Sequence, residues 1–529
     1  MPNSLAYVVL FCWPLLMVCI FAVMPRAQAI AVSIIGGYLL LPSRAGFDLP
    51  VLPTVDKTLL PALVAAILCL VMPDRAARTR TWGSVDHEAR TSGAESGSNG
   101  GGRAAVFSRR AGEISRPGVA GASPEQTVHV NQPVRTILLV LFCATLAAPF
   151  FTTLTNTEPL GFGPRFLPAL SLYDAFSMTL GIGIYLLPFV VGWRYLAGPQ
   201  EQRSLVVVLI AGGLLYSVPA LFEVRMSPQL NTWIYGFFPH SFGQHMREGG
   251  YRPIVFLGHG LALSIFLTMT VLAALAMWRS FGRERGGGTF WLLSAAWLFM
   301  TLVLSKSLGA LVIAIVFGLV VAFARKRSII VFAAVLAVGV TVYPVLRGSG
   351  LSPVEQVYEM VNSFNAERAE SFKFRLDNEN ALLDRANLKP LFGWGSWGRN
   401  RIFDPVTGDD ESVTDGDWII TIGVHGWFGY LSRYGLLAVP LIALARRRKA
   451  PQLSFAATGL CMVQAANLLD AIPNATIVPV TWLVAGSLAG LACREVVAIP
   501  ETGPVPAAAE PASPPETARP VIRYTRTRG

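Results

Sequence analysis

The sequence is poor in charge. Only 14% of its 529 residues are Asp, Glu, Lys or Arg, against 53% hydrophobic residues, whereas a soluble globular chain carries about a quarter charged residues. That excludes an ordinary soluble domain and leaves a polytopic membrane protein. Cysteine is scarce as well: the six residues Cys12, Cys19, Cys69, Cys143, Cys461 and Cys493 all fall inside apolar runs. They read as small buried hydrophobes, which excludes a disulfide framework and a cysteine zinc site. The chain has no repeat of fixed period and no sustained heptad. Its N-terminus lacks the basic region and small-residue cleavage site of a removed signal peptide. The first apolar stretch, 5–24, reaches the roughly 20 residues that a span requires and is expected to persist as a helix.

What the sequence has in abundance is apolar runs. Those near 5–24, 27–41, 59–73, 135–152, 171–195, 205–222, 253–278, 289–304, 307–324, 329–346, 422–444, 452–470 and 477–494 are candidate spans. They predict an all-α fold, a polytopic transmembrane helix bundle of about 12–14 spans with a large helical periplasmic loop. The net charge of +11 gathers beside these runs, where membrane orientation accounts for it, so no nucleic-acid partner is implied. Arg75, Arg78 and Arg80; Arg279, Arg283 and Arg285; Arg325, Lys326 and Arg327; and Arg446, Arg447, Arg448 and Lys449 are expected on the cytoplasmic side. Alternating the spans from any one cluster puts the others on that same side. The N-terminus is then periplasmic and the C-terminus cytoplasmic.

The chain accordingly divides into N-terminal transmembrane helices (1–73), a disordered cytoplasmic linker (74–134) rich in Gly, Ser, Arg and Ala, and a transmembrane core (135–346) carrying an outer loop at 223–252. A large periplasmic loop (347–421), C-terminal transmembrane helices (422–494) and a disordered Pro- and Ala-rich cytoplasmic tail (495–529) follow. Asp174 and Lys306 are the two ambiguous charges among the spans, and Lys306 is expected in an outer turn.

The two outer loops hold the chemistry. Short outer loops normally avoid arginine, yet the first carries Arg225, Arg247 and Arg252. Guanidinium groups there suit an anion, since they make paired hydrogen bonds to phosphate oxygens; the alternative is that Arg247 and Arg252 pair with Glu223 and Glu248. His240, His245 and His259 are irregularly spaced and lack an accompanying carboxylate, so no metal site and no cofactor is expected. In the second loop Val354, Val357, Val361 and Phe364 recur at helical spacing, and the rhythm continues to Arg368 and Arg375. Those two arginines either share an anionic ligand or pair with Glu367, Glu370 or Asp377. In Pro390-Leu-Phe-Gly-Trp-Gly-Ser-Trp-Gly398 the glycines permit a tight path that either cradles an anion or re-enters the bundle, anchored by Trp394 and Trp397. The acidic run Asp409, Asp410, Glu411, Asp415 and Asp417 precedes the next span. One carboxylate held at the membrane edge near arginines can act as a general base.

Taken in order, these pieces resemble the bacterial O-antigen ligase and O-antigen polymerase superfamily of membrane glycosyltransferases over roughly residues 205–445. The resemblance rests on Arg247-Glu-Gly-Gly-Tyr-Arg252 with Leu257-Gly-His-Gly-Leu-Ala262, Leu304-Ser-Lys-Ser-Leu-Gly309, Arg375 ahead of Pro390-Leu-Phe-Gly-Trp-Gly395, and Asp415 through Gly426-Trp-Phe-Gly429. It implies an undecaprenyl-pyrophosphate-linked oligosaccharide as substrate, with Arg247, Arg252, Arg368 and Arg375 binding the pyrophosphate. Ligase members carry a histidine eleven residues before a Gly-x-x-Gly pair; here that position is Asp415, so Asp415, Asp417 or the displaced His425 must take the catalytic role. His259, Trp394 and Trp397 complete the set as substrate-binding residues.

The implied function is polymerisation of lipid-linked repeat units into exopolysaccharide, capsule or O-antigen at the periplasmic face of the inner membrane, by metal-independent, inverting transfer. Membrane lipids and a chain-length regulator or flippase are the implied partners. A ligase passing a finished glycan to another acceptor, and a glycan transporter or flippase, are the competing readings. The transporter would place charges at mid-membrane and break helices in paired halves.

Overall fold

Every apolar run coincides with a helix, because a chain segment in hydrocarbon must satisfy its own backbone hydrogen bonds. The computed structural model describes residues 1–48, 53–74, 126–247, 249–281, 287–351, 354–364, 366–447, 453–498 and 529. Most of the linker, residues 499–528 of the tail, Glu248, and the basic residues Arg75, Arg78, Arg80, Arg283, Arg285, Arg448 and Lys449 lie outside that set. Among the described residues seven helices are long and apolar enough to cross a membrane: Ser4–Val23, Gln132–Leu154, Leu172–Tyr195, Pro199–Met226, Gly260–Phe281, Lys326–Gly348 and Asp417–Arg446. Shorter apolar helices, Arg26–Leu40, Leu59–Val71, Gly288–Leu304, Leu308–Phe323 and Pro479–Cys493, pack among them, as does Phe455–Asp470. The fold is thus an all-α polytopic bundle, with strands limited to short two-stranded pairs.

Several boundaries differ from the sequence reading. The span Leu172–Tyr195 carries a turn at Leu186 that divides it into Leu172–Tyr185 and Leu187–Tyr195, with Pro188 at the start of the second stretch. The run beginning at 253 becomes helical only at Gly260, so residues 253–259 belong to the loop. The 354–375 rhythm is divided into Val354–Phe364 and Ala366–Asn387. Residues 126–130, read as part of the linker, pair antiparallel with 494–498, read as the last residue of the C-terminal helices and the start of the tail; Thr127, Val128, Val130, Val496 and Val497 are its β-branched residues. That pair belongs to the second of two units into which the chain divides.

Small residues let the helices approach closely. A Cβ at Gly486 would overlap the Phe189 carbonyl, and one at Gly490 would come within 2.5 Å of the Ala197 Cβ and the Trp193 carbonyl oxygen. This Gly-x-x-x-Gly face seats Pro479–Cys493 against Leu187–Tyr195. Gly260–Phe281 is the most buried of the seven long helices and forms the centre of the bundle.

The bundle has two chemically distinct ends. At one, Arg26 donates to the Met72 carbonyl (2.9 Å), Arg279 to Val321 (2.9 Å) and Lys326 to Leu453 (3.0 Å). At the other, the loops meet: Asn3 Nδ2 donates to Ile234 O (2.9 Å), Lys57 to Phe256 O (3.1 Å) and Lys389 to Thr155 O (2.8 Å). Lys306 lies in the turn between two helices at this end, with its Nζ against Gly250. Asp174 caps the start of its helix through Ser171.

Candidate functional site

Pro390–Gly395 re-enters the bundle and plugs a broken helix. Within Asp417–Arg446 the residue Gly426 has φ 62°, ψ −168°, which ends one helical stretch and starts another. The exposed backbone groups at the break are taken up by the loop: Trp394 N donates to Gly423 O (2.9 Å), Gly395 N to Val424 O (2.9 Å), Trp427 N to Pro390 O (2.8 Å) and Phe428 N to Leu391 O (3.1 Å). A Cβ at Gly393 would come within 2.6 Å of Gly426 N, and one at Gly426 would overlap Leu391, so both positions require glycine. The amides of Trp394 and Gly395 are therefore satisfied by carbonyls, and the turn is a re-entry loop instead of an anion cradle. Trp394 is buried, its ring 3.6 Å from the Arg385 guanidinium and its Nε1 donating to Arg385 O (2.7 Å). It clamps the loop, while Trp397 leaves its ring exposed.

The break also folds the helix back on itself. Arg433 donates to Asp417 Oδ1 at 2.8 Å and Tyr434 to Oδ2 at 3.1 Å, although a straight helix would separate residues sixteen apart by about 24 Å. Asp417 is buried in this ion pair, which makes it a structural carboxylate and not an available base. His425 is half-buried, its Nδ1 3.4 Å from Thr152 Oγ1. It lines a cavity of ≈ 40 Å³ with Thr145, Tyr185, Arg433 and Trp482, room for a water and too small for a sugar. Arg433 and Asp470, which sit inside apolar runs, were not singled out from the sequence. Asp470 accepts from Asn474 Nδ2 (3.0 Å) and Thr476 Oγ1 (2.6 Å).

Asp415 is placed differently. Its Oδ2 lies 3.3 Å from Arg375 Nε, and both side chains are about a third exposed. Arg375 thus pairs with Asp415, not with the nearby Asp377 proposed from sequence. One turn further along the helix, Glu379 is 8% exposed, with Oε2 lacking a hydrogen-bond partner. Burial drives its carboxyl up to about 7; Arg347 opposes the rise, Trp418 also opposes it, Asp415 adds to it, and Arg375 opposes it again. Arg347 reaches this position from the end of Lys326–Gly348, donating to Leu376 O at 3.4 Å.

The first loop faces the same place. Glu223 accepts backbone hydrogen bonds from Leu230 (3.0 Å), Ile254 (2.8 Å) and Val255 (2.7 Å), so it organises the loop. The hairpin Met246–Arg247 with Gly250–Tyr251 leads to Arg252, which is buried. His240, His245 and His259 each bring a ligand nitrogen within 4.8 Å of the others; chain folding overcomes the irregular spacing that argued against a cluster. Three imidazoles are a donor set suited to a divalent cation, but the surrounding field is positive. His259 is driven down to about 3 by burial first, then by His245, His240, Arg252 and Arg375. Its Nδ1 accepts from Leu261 N at 3.0 Å, which leaves the neutral ring a donor at Nε2. The action of Arg375 on His259 links the two loops. Two guanidiniums whose charges both reach one imidazole suit an anion.

Arg247 and Arg368 are placed as backbone positions only, in the hairpin and in Ala366–Asn387. Residues missed from sequence are Glu379 and Arg347, with Arg399 as a structural staple donating to Trp394 O, Pro168 O and Glu158 O. The Glu379 signal was present: Leu376, Glu379, Leu383 and Ala386 recur on one helical stripe, and all four are buried. No protein-family model and no curated protein matches this chain.

Proposed function

We propose that this protein is a glycosyltransferase of the bacterial inner membrane that polymerises undecaprenyl-pyrophosphate-linked oligosaccharide repeats into exopolysaccharide, capsule or O-antigen. The observation that carries the reading is the Arg375–Asp415 pair on one loop, with the Arg375 charge reaching His259, which Arg252 also acts on, in the other. Transfer from a polyprenyl pyrophosphate requires that the charge developing on the leaving phosphate be stabilised, and arginines supply this without a metal. It also requires a positioned acceptor hydroxyl and a group to take its proton. Direct displacement inverts the anomeric centre.

The proposed orientation, with the loop end in the periplasm and both the linker and C-terminus in the cytoplasm, is supported by Arg279, Lys326 and Arg447 lying at the opposite end from this site. Lipid-linked glycan from a strain lacking the protein tests the function. Accumulation of a single repeat unit is the expected result. Long lipid-linked chains would replace polymerisation with ligation, and unchanged glycan with polymer retained inside the cell would point to transport.

A further inference from the structure

The glycosyl transfer proposed above needs a proton acceptor, and the structure disqualifies two of the three residues first considered. Asp417 is held by Arg433 and Tyr434, and His425 faces a cavity too small for a sugar. Asp415 is engaged by Arg375. Resting on that reading, we infer that Glu379 is the base that takes the proton of the acceptor hydroxyl.

Glu379 and Arg375 are four residues apart on Ala366–Asn387, hence on one face and one turn apart. A base on that face stands beside the arginine that would hold the leaving phosphate. The groups facing Glu379 are Arg375 on its own helix, Arg347 and Tyr343 from Lys326–Gly348, Trp418 from Asp417–Arg446, and Asp415 from the intervening loop. The Tyr343 and Trp418 rings meet edge to face, 5.2 Å between centroids, and both residues act on the Glu379 carboxyl through their polar groups. Two neighbouring guanidiniums would ordinarily keep a glutamate strongly acidic. Burial outweighs them and leaves the group titrating at about 7, where an acid–base catalyst works best at neutral pH. Oε2 is shielded from solvent and has no hydrogen-bond partner within normal distance among the described residues, although Trp418 and Tyr343 lie close enough to act on the carboxyl.

The step balances. The acceptor oxygen forms a bond to the anomeric carbon as the bond from that carbon to the phosphate oxygen breaks. The electron pair leaves on the undecaprenyl pyrophosphate, whose charge meets Arg375 and Arg252. The hydroxyl proton passes to the Glu379 carboxylate and from there to solvent.

The test uses full-length protein in detergent or nanodiscs with a lipid-linked repeat unit as substrate, comparing wild type with Glu379→Gln and Glu379→Asp. The expected result is a 10²- to 10⁴-fold loss of kcat in the glutamine variant, with KM for the lipid donor and thermal stability retained and partial activity in the aspartate variant. Wild-type kcat should fall on acidification through about pH 7, and the residual activity of Glu379→Gln should lose that limb. A glutamine variant with wild-type kcat and an intact acid limb overturns the assignment while leaving the function standing. A wild-type protein that never consumes the lipid-linked donor overturns both.

Discussion

Arg375 Nε lies 3.3 Å from Asp415 Oδ2, a pair formed by residues forty apart in the chain. Being partly exposed, the pair contributes about 0–1 kcal/mol to stability. Its consequence is positional. It ties the Ala366–Asn387 helix to the segment that enters the Asp417 helix, and it holds a guanidinium close enough to His259 to act on that ring.

Replacing Arg375 with alanine should abolish polymer production, a loss of 10²-fold or more for removal of one charge-stabilising group. Protein level and membrane insertion should stay at wild-type values in membrane fractions. Full-length polymer from a stably expressed variant would remove Arg375 from the site.

Asp415→Asn and Asp417→Asn should part company in different measurements. Neutralising the buried Asp417 leaves the half-buried Arg433 without its carboxylate, a cost of up to about 3–5 kcal/mol visible as a lowered Tm. Asp415→Asn should keep its Tm and lose activity instead. Joint replacement of Asp417 and Arg433 by Asn and Met should recover part of the stability lost by either change alone, which a double-mutant cycle reads directly.

Much of the fold was legible in the sequence because membrane spans declare themselves through long apolar runs, and all thirteen became helices. The Gly426 break was not legible: its hydrogen bonds come from Pro390, Leu391, Trp394 and Gly395, some thirty residues away, and nothing local announces that pairing. Asp417 stood out from the sequence because it is acidic and near a span, but its partner Arg433 lay inside an apolar run and looked like background. Arg375 stands out in the sequence by its charge on a helical rhythm. Glu379, on the same helix, was overlooked among ordinary acidic residues although it falls on the apolar stripe with Leu376 and Leu383.

Gly426→Ala should be strongly destabilising, since φ 62° disfavours any Cβ and the added carbon would overlap Leu391. A loss of about 2–4 kcal/mol is expected from strain and displaced backbone hydrogen bonds. Gly309→Ala, where a Cβ meets nothing within 4 Å, is the control. Equal Tm in the two variants would contradict the docking of Pro390–Gly395 into the break.

Stability should also depend on pH through His259. Its folded-state pKa of about 3 lies below the unfolded value of about 6.5, so between these limits the unfolded chain binds more protons. Its contribution is therefore complete above pH 6.5 and lost as pH falls towards 3. Subtracting the unfolding free energy of His259→Gln from that of wild type should give a difference that declines across this window. Parallel curves would place the ring in an exposed, ordinary environment.

The central claim is that Arg252 and Arg375, from separate loops, serve one anion. Its most direct test is the affinity of a short-chain polyprenyl pyrophosphate for wild type, Arg252→Gln, Arg375→Gln and the double variant, each first checked for retained Tm. Each single change should weaken binding by about 10- to 100-fold, 1.5–3 kcal/mol for a charged hydrogen bond, and the pair should be coupled by at least 0.5 kcal/mol. Wild-type affinity in either single variant, or strictly additive losses, would contradict a shared site.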